Sequence, residues 1–390
     1  MKAVGIIAEY NPFHNGHLYH LNKVKEMFPD DVIVVVLGGN FTQRGETSII
    51  NKWDKAEIVL KHGADIVIEL PYPFATQSAD FFAKGSIQIL KEMKISKIVF
   101  GSESNDSNQL TTTAKLQLNS KEYQSLIKKY LDQGINYKTA QSKALKTLTN
   151  ISIDTPNDIL GISYIKEIIK QNADIEPITI KRTNDYHDNN INEDITSATS
   201  IREAIKNNVE IKNTVPKETY EKLNNNNIFS IDDYFHILKY QILTNIDSLD
   251  KFQTVDEGIE NRIKKYITSS KSLNELISKI KTKRYTYNKI RRMLTHIMCN
   301  FTKEEANIFK DITYLRILGF SEKGKTYLNS IKKQINLPFV TNFNKNNDKM
   351  LDLEFRTTCV YASILDESEK TKLIEMEYKN SPIRINKNGF

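Results

Sequence analysis

Glu9-Tyr10-Asn11-Pro12-Phe13-His14-Asn15-Gly16-His17 is the stretch on which the fold turns. Residues 3–7 before it are short and apolar, as in a strand, and Leu18, Leu21, Val24 and Phe28 after it recur at helical spacing. In an open α/β sheet, ligands bind beyond the carboxyl ends of the strands. Asn11-Pro12 forces a turn there, and Gly16 lets backbone approach a ligand closely. His14 and His17 stand at the mouth of the helix. A helix N-terminus attracts phosphate through its free amides and its dipole, and two imidazoles add donors aimed at the same anion. Attack on an α-phosphate needs this equipment, because charge builds on the nonbridging oxygens and on departing pyrophosphate. His14 and His17 are therefore the candidate catalytic residues. A metal reading of His14, His17 and His20 lacks an acidic or thiolate fourth ligand, and the spacing differs from a His-Glu-x-x-His zinc helix. No protein metal site is expected.

Beyond this stretch, strands and helices alternate. Residues 32–37 are an unbroken apolar run, the pattern of a strand covered on both faces. Residues 52–62 read as a helix stopped by Gly63. Residues 65–70 and 97–100 read as strands on either side of a helix at 79–93. A helical stretch broken near Thr155-Pro156 leads to a helix at 159–171 and a strand at 177–181. Strands separated by helices imply parallel pairs with right-handed crossovers, so the expected fold is α/β with a doubly wound parallel sheet. Past Arg202 helical periods dominate, and residues 207–216 read as a polar linker ending in proline. The expected division is an α/β nucleotide domain over 1–210 and a mainly helical domain over 211–390.

Four further segments gather at expected strand ends and helix starts. Gly38-Gly39-Asn40-Phe41-Thr42-Gln43-Arg44-Gly45-Glu46 suits close backbone approach, with Arg44 available for a carboxylate or phosphate; a solvent loop would look similar. Gly101 in Phe100-Gly101-Ser102-Glu103 would lie against an adenosine in this architecture. Asn157 opens a helix, where it could equally be an N-cap. Lys181-Arg182 ends the last strand, and Ser197-Ala198-Thr199-Ser200-Ile201-Arg202 offers Ser197, Thr199 and Arg202 as a β/γ-phosphate cradle. Helix capping alone would also explain the hydroxyls.

The 390 residues are enough for two domains, and 39% hydrophobic with 26% charged residues is an ordinary globular balance. No apolar run approaches the roughly 20 residues of a membrane helix, and the start is not expected to be a signal peptide. The 2 cysteines, Cys299 and Cys359, make neither a disulfide framework nor a thiolate metal site, which points to a reducing cytoplasm. A net charge of +7 permits a nucleic-acid partner. Residues 279–292 carry 7 Lys/Arg and no Asp/Glu, with tyrosines interleaved. Lys283, Arg284, Arg291 and Arg292 could position phosphates while Tyr285 and Tyr287 stack on unpaired bases. A solvated helix face with inward tyrosines is the alternative. Residues 319–326 match the Walker A pattern, but no βαβ series surrounds them, so Ser321 is read as an N-cap instead. No protein partner is evident.

Together these strings carry a resemblance. The opening from Glu9 to His17 and the Ser197–Arg202 segment resemble the nucleotidyltransferase superfamily. More closely, the sequence is similar to the bacterial tRNA(Met) cytidine acetate ligases. The similarity takes in Gly39 to Gly45, Phe100 to Glu103, Pro156 to Gly161, Lys181-Arg182, Lys283 to Tyr287 and Leu318 to Ser321, and so spans essentially the whole chain. It implies that ATP and acetate form acetyl-adenylate, which acetylates the wobble cytidine of elongator methionine tRNA to N4-acetylcytidine, with magnesium accompanying the ATP. It also implies ATP contacts from Ile7, Ala8, Glu9, Tyr10, Asn11, Pro12, Phe13, His14, Asn15, Gly16, His17, Leu18, Tyr19 and His20, and from Gly101, Asn157 and Arg182. Ala198 stands where the broader superfamily often has a second serine. Two rivals remain. One is an adenylyltransferase acting on a small phosphorylated coenzyme precursor, which would need no basic second surface. The other is a non-catalytic RNA-binding protein, which would need no intact histidine pair.

Overall fold

A computed structural model describes residues 1–135, 137–182, 196–225, 228–282, 284–341, 343 and 348–386. The first part runs β1 (Ala3–Ala8), α1 (Asn15–Met27), β2 (Val32–Gly38), α2 (Lys52–Lys61), β3 (Ile66–Leu70), α3 (Tyr72–Ala75), α4 (Ala79–Glu92) and β4 (Lys97–Ser102). Next come α5 (Ser107–Asn119), α6 (Lys121–Asp132), α7 (Tyr137–Thr149), α8 (Pro156–Lys170), β5 (Glu176–Lys181) and α9 (Ala198–Lys206). A helical block follows: α10 (Lys217–Asn225), α11 (Phe235–Thr244), α12 (Ile259–Ile267), α13 (Leu273–Ile280), α14 (Tyr287–Met298) and α15 (Lys303–Ile308). The chain closes with β6 (Leu315–Ser321), α16 (Glu322–Ile331), β7 (Phe339–Val340), α17 (Lys349–Ala362), α18 (Glu367–Lys379) and β8 (Ile383–Ile385).

Strands β1 to β5 are mutually parallel in the order β5-β4-β1-β2-β3. The chain winds outward from β1 through β2 to β3, then crosses back to β4 and β5 on the other side. Strand order therefore reverses between β1 and β4, the switch point where an open α/β sheet leaves a crevice. β2 shows why the sheet is buried on both faces. Val32, Val34 and Val36 enter one hydrophobic core while Ile33, Val35 and Leu37 enter the other. Full burial of each such side chain contributes about 1.5–3 kcal/mol relative to exposure.

The end of the chain departs from the sequence reading. β6 pairs antiparallel with β3 (Ile66 opposite Phe320, Val67 opposite Gly319), and β7 and β8 lie parallel to β6. The sheet thus continues past the boundary expected at residue 210, and the helical block is an excursion between β5 and β6. Four charged side chains lock this junction. Lys52 Nζ lies 2.7 Å from Glu69 and 2.9 Å from Glu377, and Arg316 Nη1 lies 2.6 Å from Glu377 and 3.4 Å from Glu69. All four are buried, and they come from α2, β3, β6 and α18.

The Walker-like segment is accounted for by the same junction. Ser321 is the N-cap of α16, accepting from Gly324 N at 3.1 Å. Strand β6 precedes it and pairs in parallel with β7 after α16, contrary to the reading that no βαβ series surrounds the segment. No phosphate-wrapping loop separates that strand from the helix, however. A Cβ at Gly324 would lie 2.0 Å from the Asp65 carbonyl oxygen, so this glycine lets α16 pack on the start of β3.

Candidate active site

A cavity of about 310 Å³ opens beyond the carboxyl ends of β1 and β4. At its mouth His14 is the N-cap of α1. Its Nδ1 accepts from Gly16 N at 3.0 Å, and its backbone N donates to His17 Nδ1 at 3.3 Å. The two rings are 3.7 Å apart between centroids. Because both Nδ1 atoms accept, this pattern assigns the ring proton of each to Nε2. Burial pulls the His14 pKa down to about 3, helped by the Arg182 and Arg202 charges. Burial also holds His17 well below the usual range, with His14 and Arg182 adding to it. Both imidazoles are neutral near pH 7 and offer N–H dipoles. Positive charge at this mouth comes from these two arginines, and Arg44 and Lys181 also line the cavity.

Arg202 donates to the Asn11 carbonyl at 2.8 Å and to Glu46 at 3.1 Å, and reaches the Thr199 hydroxyl at 3.4 Å. Ser197 caps α9 through Ser200 N at 3.1 Å. The capping explanation therefore accounts for Ser197, while Thr199 sides with Arg202. Ser197, Ala198, Thr199 and Arg202 all line the cavity. Gly101 lines it too, where an added Cβ would come 3.3 Å from Arg182 Cγ. Asn157 is inside α8 rather than its cap. Its side chain donates to Glu103 at 2.6 Å, and the Glu103 carboxylate also accepts from Asp158 N at 3.1 Å.

Of the segment from Ile7 to His20, the cavity is lined by Ile7, Ala8, Glu9, Tyr10, Asn11, His14, Gly16, His17, Tyr19 and His20, together with Asn157 and Arg182. Pro12, Phe13, Asn15 and Leu18 do not line it. Phe13 is fully buried behind His17. Asn15 ties α1 to the Asn213 and Thr214 carbonyls at 2.7 Å and 3.1 Å, and Leu18 packs on the core. These four frame the loop.

Two charged residues escape a sequence reading. Lys55 Nζ donates to the carbonyls of Glu9, Gly38 and Gly39 at 2.9, 2.8 and 2.9 Å, clamping the ends of β1 and β2 together. Burial lowers its pKa to about 7. A lysine amid Trp53, Ala56 and Val59 on the inward side of α2 is the only signal it leaves in the sequence. Glu46 lines the cavity and holds Arg202 and Arg291 with one carboxylate.

The basic segment divides. Lys283 lies outside the described residues. Arg284 is exposed. Tyr287 is 37% exposed, with the Arg291 guanidinium 4.7 Å from its ring centre. Tyr285 is 3% exposed and its hydroxyl donates to the Asp256 carbonyl, so its ring is not offered to a base as the stacking reading requires. Arg292 is largely buried, its pKa pulled down to about 10 by burial. Helix α14 packs on the loop after β2: the Thr295 hydroxyl donates to the Gly45 carbonyl at 2.9 Å. Gly45 adopts φ +74°, and a Cβ there would sit 2.6 Å from Arg292 N.

The family model described as HIGH Nucleotidyl Transferase matches residues 1–376. A tRNA(Met) cytidine acetate ligase of Anoxybacillus flavithermus is 41% identical over 401 residues, covering 98% of this chain and 100% of that protein. The chain belongs to the tRNA(Met) cytidine acetate ligase family. Two solved structures of this family, both of Thermotoga maritima TmcAL, are 31% identical and cover 99% of this chain and 100% of theirs. The apo form superposes with a TM-score of 0.91, and the form bound with alpha-thio ATP with 0.90. The doubly wound α/β class expected from the sequence is the nucleotidyltransferase fold of this family.

Proposed function

We propose that the chain is an ATP-dependent tRNA acetate ligase. Acetate attacks the α-phosphate of ATP, pyrophosphate leaves, and the exocyclic amine of the wobble cytidine in elongator methionine tRNA takes the acetyl group to give N4-acetylcytidine. The observation that carries this reading is the reciprocal His14–His17 cap at the switch point, with Arg182 and Arg202 beside it. Two Nε2–H donors and two guanidiniums answer the charge that grows on the phosphates. Acetate is already an anion, so activation depends on positioning and charge stabilisation.

Magnesium would arrive with ATP. Among the described residues no group of three His, Cys, Asp or Glu could hold a metal ion, so no residue of the chain is assigned to it. No helix among the described residues is long and apolar enough to cross a membrane, and a cytoplasmic setting suits ATP, acetate and tRNA. In this reading the α/β sheet performs activation and the helical block contributes the tRNA surface near Arg284 and Tyr287.

Mass analysis of nucleosides from tRNA incubated with protein, ATP and labelled acetate tests the reading. Labelled N4-acetylcytidine is the expected product. Transfer of AMP from ATP to an added phosphorylated coenzyme precursor, with no label in the tRNA, would favour a small-molecule adenylyltransferase. Binding of tRNA without pyrophosphate release would favour a non-catalytic RNA-binding protein.

A further inference from the structure

We propose that Glu9 is the general base of the transfer step, taking the proton of the cytidine amine as it attacks the acetyl carbonyl; this rests on the function proposed above. Among the described residues two carboxylates line the cavity, Glu9 and Glu46. Glu46 is engaged by Arg202 and Arg291. Glu9 follows β1 directly, five positions before His14. Its Oε1 accepts from Gln43 N at 2.5 Å, and Lys55 holds its carbonyl at 2.9 Å. No hydrogen bond to Oε2 is found among the described residues. The side chain is thus anchored at one oxygen and free to accept at the other, which a base requires.

Among the described residues the neighbouring groups do not fill this role. His14 and His17 each use Nδ1 to accept a backbone N–H, and the remaining nitrogen carries the proton. Asp158 accepts from Glu103 N, Ser104 N, the Ser102 hydroxyl and the Thr155 hydroxyl. Glu103 caps α8 with both oxygens. His20 is held below its usual range by burial and the Arg182 charge, which makes it a weak acceptor near pH 7.

In the step itself, the bond from the cytidine nitrogen to the acetyl carbon forms. The bond from that carbon to the AMP phosphate oxygen breaks, AMP leaves as an anion, and the amine proton ends on Glu9. Burial raises the Glu9 pKa, and Glu46 adds to it. The hydrogen bond from Gln43 and the charges of Lys55 and Arg44 oppose the rise. Tyr164, from α8, also faces this carboxylate. A base works best with a pKa near the operating pH.

Single-turnover transfer from acetyl-adenylate to unmodified tRNA, followed against pH with the full chain, tests the assignment. Transfer by the wild type should climb as Glu9 loses its proton. Glu9→Gln should slow transfer about 100-fold or more, as loss of a general base does, and should abolish the acid limb. Pyrophosphate release from ATP and acetate should fall far less. Glu9→Asp should restore part of the rate together with the limb. A Glu9→Gln protein that keeps the acid limb, or loses both half-reactions equally, would overturn the assignment. A wild-type protein that releases pyrophosphate yet modifies no tRNA would overturn the function beneath it, and that result is recognisable before any variant is made.

Discussion

Glu46 pairs with Arg291 across the seam between the cavity loop and helix α14, and the same carboxylate pairs with Arg202 at 3.1 Å. A residue of the helical block is therefore one carboxylate away from the candidate phosphate cradle. Arg291→Ala should then weaken ATP as well as tRNA. Arg284→Ala, on an exposed side chain, should weaken tRNA alone. Titrations of each variant with ATP and with tRNA check this, and a normal ATP affinity in Arg291→Ala would mean that the seam carries no such coupling.

The histidine pair makes a second prediction. His14→Ala or His17→Ala should cut adenylate formation about 100-fold or more, the scale of one preorganised transition-state donor. Pyrophosphate release measures it, beside a thermal melt to confirm folding. Near-normal release from a folded double variant would remove both residues from the chemistry.

Burial of neutral histidines also sets a stability trend. His14 and His296 are pulled down to about 3 and His20 to about 4, from a usual 6.5. Between those values the unfolded chain binds protons that the folded chain refuses. Stability contributed by keeping these rings neutral is complete above pH 6.5 and is lost as pH falls from there toward 3. Urea melts at pH 7.5 and 5 should show the lower stability at pH 5, and His296→Gln should shrink the difference. A larger stability at pH 5 would contradict the burial argument.

The junction at β3 predicts the fate of a truncated chain. Residues 1–210 alone would leave β3 without β6, and Lys52 and Glu69 without Arg316 and Glu377. That fragment should aggregate rather than fold into an ATP-binding unit. In the full chain Arg316→Met should cost about 3–5 kcal/mol, the usual penalty for removing one partner of a buried ionic group. Chemical denaturation measures the second, and a monomeric, cooperatively folded 1–210 fragment would refute the first.

The same residues show what the sequence makes legible. β1 to β5 can be read because each is an apolar run set off by a helix, and the loop from Glu9 to His17 because its chemistry is concentrated in nine consecutive positions. β6 is harder to see: its partner β3 lies about 250 positions upstream by the Ile68–Ile317 pairing, and no local period encodes a pairing at that separation. Lys55 and Glu46 escape for a related reason. A lysine on a helix and a glutamate in a loop look like solvent residues until the fold places three carbonyls around one and two guanidiniums around the other.

Tyr285 and Tyr287, two positions apart, should behave oppositely. Tyr285 is buried, and its hydroxyl holds the Asp256 carbonyl. Tyr285→Ala should therefore lower the melting temperature, with a destabilisation of about 3–5 kcal/mol typical of losing a large aromatic from a core. Tyr287 keeps 37% of its surface exposed beside Arg291. Tyr287→Ala should leave the melt nearly unchanged and cost tRNA binding about 1–3 kcal/mol, with little dependence on salt, if its ring stacks on an unpaired base. Arg284→Ala should instead reduce the slope of log affinity against log salt by about one unit, the share of one phosphate contact. Affinities at several salt concentrations, set beside melts of all three variants, separate a core tyrosine, a stacking tyrosine and a phosphate-binding arginine. If Tyr287→Ala and Arg284→Ala both leave tRNA affinity untouched, the RNA surface lies on another face of the helical block.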